Sequence, residues 1–344
     1  MLLGENEKAI EMADQNVVLA PEEANSYDTR GDIYAFQGDL EKAIENYQRA
    51  IDIEYYFDNS TGKLASMYIY KREYEQAENI IRKFLSEPDD RFRSGARTGM
   101  ALIPMYQGRF NETLAQLDEG LAWDKKNDID EANKVGKHSI KFFIYLERGQ
   151  FDLAWREARI MNEYMAILSP EDPFSTRTAD IILYAREGKT GKADSLLQLI
   201  RNDIDPQEPN LVSGYHRMVG VVELIKGNTQ SAIVHLQKGL YENSVPLFET
   251  RYFLGHAYLN LDQPARAVEV LEPALKRCDE HMMQFPIWNV KARYYLGRAY
   301  DQLGQREQAI ARYEEFLGIW KDADEGIEEI ENARERVEVL KARS

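Results

Sequence analysis

A single cysteine, Cys278, serves all 344 residues, so no internal disulfide can form and nothing points to an oxidising compartment. The chain also lacks any run of the roughly 20 apolar residues that a membrane-crossing helix requires. No secretory leader is expected before the first periodic segment, since Met1-Leu2-Leu3-Gly4 leads straight into a charged helix. The expectation is a cytoplasmic protein that keeps off membranes. Bases are scarce relative to acids, 43 Lys and Arg against 59 Asp and Glu, a net charge of −16. Binding to phosphates draws affinity from cations that displace counterions, so nucleic acid is not an expected partner.

Signatures of chemistry are missing too. There is no phosphate-binding loop, nucleophile elbow or paired-cysteine motif. The five histidines (His138, His216, His235, His256 and His281) are scattered, without the i, i+4 pairing of a helical metal site. The acidic turn that starts at Asp124 lacks the alternating oxygen ligands and central glycine of a calcium loop. The chain therefore reads as no enzyme, with no metal and no cofactor. What it does have is apolar substance: 44% hydrophobic residues, with 20 Tyr, 13 Phe and 4 Trp. That is ample for a packed core and rules out a disordered chain.

The dominant feature is internal repetition. Gly4-Glu-Asn-Glu-Lys-Ala9-Ile10 returns as Gly38-Asp-Leu-Glu-Lys-Ala43-Ile44 and again as Gly304-Gln-Arg-Glu-Gln-Ala309-Ile310. The same five-residue step from glycine to a small residue links Gly108 to Thr113, Gly149 to Ala154, Gly188 to Ala193 and Gly227 to Ala232. Two copies keep the alanine but replace the glycine, with Arg72 before Ala77 and Asp262 before Ala267. The small markers fall at 9, 43, 77, 113, 154, 193, 232, 267 and 309, a period of 34 to 42 residues. Upstream of the glycine a small residue precedes a tyrosine by three, as in Gly31 and Tyr34, Gly255 and Tyr258, Gly297 and Tyr300. That spacing puts both on one helical face, the small residue admitting a neighbouring helix.

This pattern of small residue, Tyr, Gly, Ala and aromatic over about 34 residues resembles the tetratricopeptide repeat. Each unit reads as two amphipathic helices joined by a glycine turn, for example residues 25–36 and 40–53. One such pair cannot bury its apolar face alone, so pairs stack. The expected fold is all-α: a right-handed superhelical solenoid of about nine helix pairs, with 18 to 20 helices. Residues 1–321 form the array and residues 322–344 a capping helix with an apolar stripe of Ile327, Ile330, Val337 and Leu340. The first unit is only half present. Ile10, Ala13 and Val17 are then expected to face an empty slot, to be filled by an upstream segment or by a second copy in a homodimer. Between residues 95 and 245 the superhelix should be irregular, with longer helices or loops around 123–135, 164–175 and 201–213. Pro104 should bend or shorten its helix.

If the register holds, first helices line a concave groove that is acidic at its N-terminal end, with Asp28 and Asp32, apolar in the centre, and basic and aromatic at its C-terminal end. The candidate partner-binding residues are Tyr106, Phe143, Ile182, Arg217, Tyr252, His256, Tyr294 and Arg298, with Tyr and Arg favoured because they concentrate interface energy. The Lys, Asn and Arg set with which some members of the family hold C-terminal carboxylates is not matched. Groove asparagines (Asn25, Asn59, Asn260) are too sparse for the backbone-holding mode of peptide-pheromone receptors. The resemblance implies a protein-interaction scaffold or sensory module that binds a protein or peptide segment. The alternative is a regulator gated by a peptide or small molecule in the groove. Residues 295–324 also resemble, more loosely, the ends of bacterial signalling proteins.

Overall fold

The computed structural model describes residues 3–54, 60–240, 248–278 and 286–342, and every regular element among them is a helix. Asn59, His281 and the last two residues of the terminal segment lie outside the described residues. An unpaired helix α1 (Leu3–Leu19) opens the chain. Eight helical hairpins follow: α2 (Ala24–Gln37) with α3 (Leu40–Ile53), α4 (Ser60–Tyr70) with α5 (Tyr74–Phe84), α6 (Asp90–Tyr106) with α7 (Phe110–Lys126), and α8 (Glu131–Glu147) with α9 (Phe151–Leu168). The second half continues with α10 (Thr178–Arg186) and α11 (Thr190–Asp203), α12 (Pro209–Ile225) and α13 (Thr229–Gly239), α14 (Phe248–Asn260) and α15 (Pro264–Lys276), then α16 (Pro286–Gln302) and α17 (Arg306–Ile319). A last helix, α18 (Glu328–Ala342), packs on α17. None of the described helices is long and apolar enough to cross a membrane.

The repeat markers have a single structural meaning. Ala43, Ala77, Thr113, Ala154, Ala193, Ala232, Ala267 and Ala309 are all fully buried, because each sits where a second helix crosses its own first helix. The small residue on the first helix is the other half of that crossing. A Cβ at Gly297 would stand 2.8 Å from the Tyr313 ring of α17. The ring that fills the notch thus comes from the following helix. The hairpin turn needs a positive φ. Where glycine is replaced, Arg72 (φ 62°) and Asp262 (φ 53°) adopt the left-handed conformation anyway.

Most of the extra length in the centre is helical: α6, α7 and α8 have 17 residues each and α9 has 18. The remainder forms the turn-rich connection 169–177. Pro104 does not shorten α6, which runs on to Tyr106. It lies in the last turn, and its carbonyl accepts the Arg109 amide that closes the hairpin. The N-terminal stripe also differs from expectation. Ala13 is buried and Ile10 and Val17 half-buried where α1 packs on α2, and the exposed apolar residues are Met12, Val18 and Leu19. Cys278 lies just past the end of α15, and its amide donates to the Ala35 carbonyl at 3.0 Å.

That last bond is one of several that close the superhelix on itself. Trp320 Nε1 donates to the Tyr106 carbonyl at 3.0 Å, and the Asp324 amide donates to the Gly108 carbonyl at 3.0 Å. The Asp324 carboxylate accepts the Asn111 amide at 2.8 Å and pairs with Arg148. Trp320 meets Phe110 edge-on, and the Arg277 guanidinium lies 4.0 Å over the Phe36 ring. One apolar core runs from Ile69, Ile81 and Met105 straight into Leu254, Leu296, Phe316 and Trp320. The C-terminal hairpins and cap therefore dock against the N-terminal half, and the first helices of the later units curve around a shared interior.

Candidate functional site

The interior is a cavity of about 910 Å³ bounded by first helices from α8 to α16 and by the segment that follows α17. First helices line it because their second helices occupy the outside of the curve, so each successive unit adds one inward-facing stripe. Its apolar wall is built on Phe143, Ile182, Val221, Phe253 and Trp288. The Trp288 ring stacks on Tyr252 at 16° with centroids 5.9 Å apart, and takes edge contacts from Phe143 at 5.4 Å and Phe253 at 5.0 Å. These four rings are locked by one another, which leaves a rigid aromatic surface.

Charge in the cavity is arranged around Lys291. Its Nζ lies 2.8 Å from Glu147 and 2.7 Å from Glu329, tying α16 to α8 and to the cap. Burial pushes the Glu147 carboxyl up, but Lys291, with help from Arg186 and Trp288, outweighs it and holds the group below the usual carboxylate range. Burial likewise pulls Lys291 down, and its two carboxylates more than reverse that. His256 stacks on Tyr295 with centroids 4.8 Å apart. Burial first, then the cations Arg298, Lys291 and Arg186, lower its pKa to about 4, so it is neutral at pH 7.

Five of the eight sequence-predicted residues converge here: Phe143, Ile182, Arg217, Tyr252 and His256 all line the cavity. The other three do not. Tyr106 is fully buried and packs edge-on against Tyr70, because ring closure covers the face an open groove would leave free. Tyr294 is buried and donates its hydroxyl to Asn332 of the cap at 2.9 Å. Arg298 lies over the Tyr294 and Tyr295 rings, outside the cavity lining. Of the expected acidic end, Asp28 is buried and Asp32 stays exposed. Asp28 and Asp32 are bridged by Lys63 at 2.8 and 3.0 Å, which uses them to join the first two hairpins.

Trp288 and Glu147 are not among the residues that the sequence points to. For Glu147 helical periodicity carries a signal, since it follows Phe143 by four and shares its face.

A family model described as tetratricopeptide repeat matches residues 24–55 and 248–281, and a second of the same description matches 291–322. These windows coincide with α2–α3, α14–α15 and α16–α17. The chain carries tetratricopeptide repeats. Proteins of this repeat family bind protein or peptide partners and serve as interaction scaffolds. None of the curated proteins compared with this tetratricopeptide-repeat chain matches it. Among solved structures it is similar to yeast Tom70, at 13% identity and a TM-score of 0.48, with 99% of this chain and 86% of that one covered. It is also similar to a tetratricopeptide repeat protein from Parabacteroides merdae, at 13% identity and a TM-score of 0.44, covering 92% and 98%. A third likeness is to BtubC from P. vanneervenii, at 18% identity and a TM-score of 0.42, covering 56% and 82%.

Proposed function

We propose that this array binds a short peptide, or an extended segment of a partner protein, inside the cavity rather than along an open concave face. The observation that carries this reading is the ring closure itself, which turns the inward stripes of five first helices into the walls of one chamber. A volume of about 910 Å³ lies near the top of the range of roughly 300–1,000 Å³ for ligand pockets. A helix is about 10 Å across, so a helical guest would be limited to roughly two turns in that space. An extended segment of a few residues suits it better. The aromatic wall offers contact area at little entropic cost, and the groups around Lys291 are fixed before a guest arrives.

The same volume supports a second reading, in which a small molecule occupies the chamber. Because the chamber is bounded by both halves of the array, its occupancy would bias the contacts between them, which is how a ligand-gated regulator works.

The test is a selection of short displayed peptides on the intact chain, with counter-selection on Val221→Trp, which fills the cavity without altering the outer surface. Sequences retained by the wild type and rejected by the variant support the proposal. No enrichment, or equal retention by both, would refute binding in the chamber.

A further inference from the structure

The cavity contains one cation that its surroundings leave unanswered. Arg217, on α12, lines the wall and forms no hydrogen bond or ion pair among the described residues. The other inward cations differ. Lys291 is held by Glu147 and Glu329, Arg148 by Asp324, and Arg186 is exposed and 3.9 Å from Glu147. The Glu249 carboxylate is near enough for Arg217 to feel its charge, yet makes no ion pair with it. Burial is the larger influence on Arg217 and disfavours its charged form. Arg217 is half-buried on the cavity wall, so its head is left to the cavity rather than to a protein partner.

The fold nevertheless holds this side chain in place. Its stem crosses Gly239 of α13, where a Cβ would come within 2.5 Å of Arg217 Cγ. Its head lies beside Gly214, one turn back on α12, with a Cβ-to-Nη2 distance of 3.7 Å, and the Phe174 ring closes the slot at 3.2 Å from that same point. Two glycines and an aromatic ring thus clear a path and fix an arginine that has nothing of its own to bind.

We infer that Arg217 is the anion-recognition point of the cavity, and that the guest is an amphiphile with an aromatic or apolar body and one anionic group. The body lies on the Trp288 wall, and the anion takes the two-pronged guanidinium of Arg217. The chemistry fits a carboxylate, sulfonate or phosphate head. The inference rests on the cavity-binding reading above.

A pair of fluorescent probes that share one body separates the two. 8-Anilinonaphthalene-1-sulfonate carries an anion, and N-phenyl-1-naphthylamine is its neutral counterpart. Both are titrated against the wild type, Arg217→Met, Arg217→Lys and Val221→Trp, with a melting curve for each protein. The wild type should bind the sulfonate at least tenfold more tightly than the amine. Arg217→Met should lose that preference while keeping its affinity for the amine, Arg217→Lys should keep part of it, and Val221→Trp should weaken both probes. Equal affinities in the wild type, or a preference that survives in Arg217→Met, overturn the anion assignment and leave cavity binding standing. Both probes binding Val221→Trp as well as the wild type would overturn the cavity reading itself. If Arg217→Met does not fold, the Arg217→Lys titration decides: a preference undiminished from the wild type overturns the assignment.

Discussion

The indole Nε1 of Trp320 donates to the main-chain carbonyl of Tyr106 at 3.0 Å, across 214 positions of sequence. Both residues are almost wholly buried, so neither group has water as an alternative partner. Trp320→Phe keeps the packing against Phe110 and Phe316 but strands the carbonyl. The expected loss is about 1–3 kcal/mol in denaturant unfolding. A midpoint equal to that of the wild type would mean the closing bond contributes nothing.

Tyr294 is expected to matter for stability rather than for capture of a guest. Its ring packs on Tyr313 and Phe316, and its hydroxyl reaches Asn332 on α18. Tyr294→Ala should cost about 3–5 kcal/mol. Deleting residues 328–344 should bare the same surface, with aggregation or a lowered melting temperature. A truncated chain that stays soluble and melts as before would remove the capping role from α18.

Asp262 is exposed and holds a φ of 53° in the turn between α14 and α15. Asp262→Gly relieves a conformation that costs a non-glycine residue about 1 kcal/mol. A gain of at most about 0.5 kcal/mol in unfolding free energy is expected, after the greater chain entropy of glycine is counted. No gain, or a loss, would show that the aspartate compensates for its own strain.

His256 gives the fold a defined acid sensitivity. Its pKa falls from about 6.5 in the unfolded chain to about 4 in the folded one. Between those values the unfolded state binds more protons, so stability is complete above pH 6.5 and declines as pH drops toward 4. Between pH 7 and pH 5 the loss from this group should reach at most about 2 kcal/mol. His256→Gln should flatten that interval in a series of urea melts, and an identical slope in both proteins would clear His256 of the effect.

Sequence alone conveyed the hairpins well and their curvature poorly, for a physical reason. The small markers Ala43, Ala154 and Ala309 report local crossings within 40 residues, and those crossings repeat, so their meaning is cumulative. Even the two substituted glycines kept their register, because Arg72 and Asp262 accept the turn conformation that the neighbouring helices impose. Ring closure depends instead on unique long-range pairs such as Trp320 with Tyr106 and Lys291 with Glu147, which no repeat foreshadows. Phe143, Ile182, Arg217, Tyr252 and His256 could be placed inward from helical register alone. Tyr106 and Tyr294 carried the same register, yet the returning C-terminal hairpins and the cap cover them.

A stack of repeats that touch only their neighbours can melt inward from either end, losing one unit at a time. Joining the last hairpin to the third removes the free ends from that count for every unit between them. The hairpins from α6 to α17 should then exchange their amide hydrogens together, in a single cooperative opening. The pair α2 and α3, held to the ring at Cys278 and Arg277, should follow next, and α1 should open first and alone.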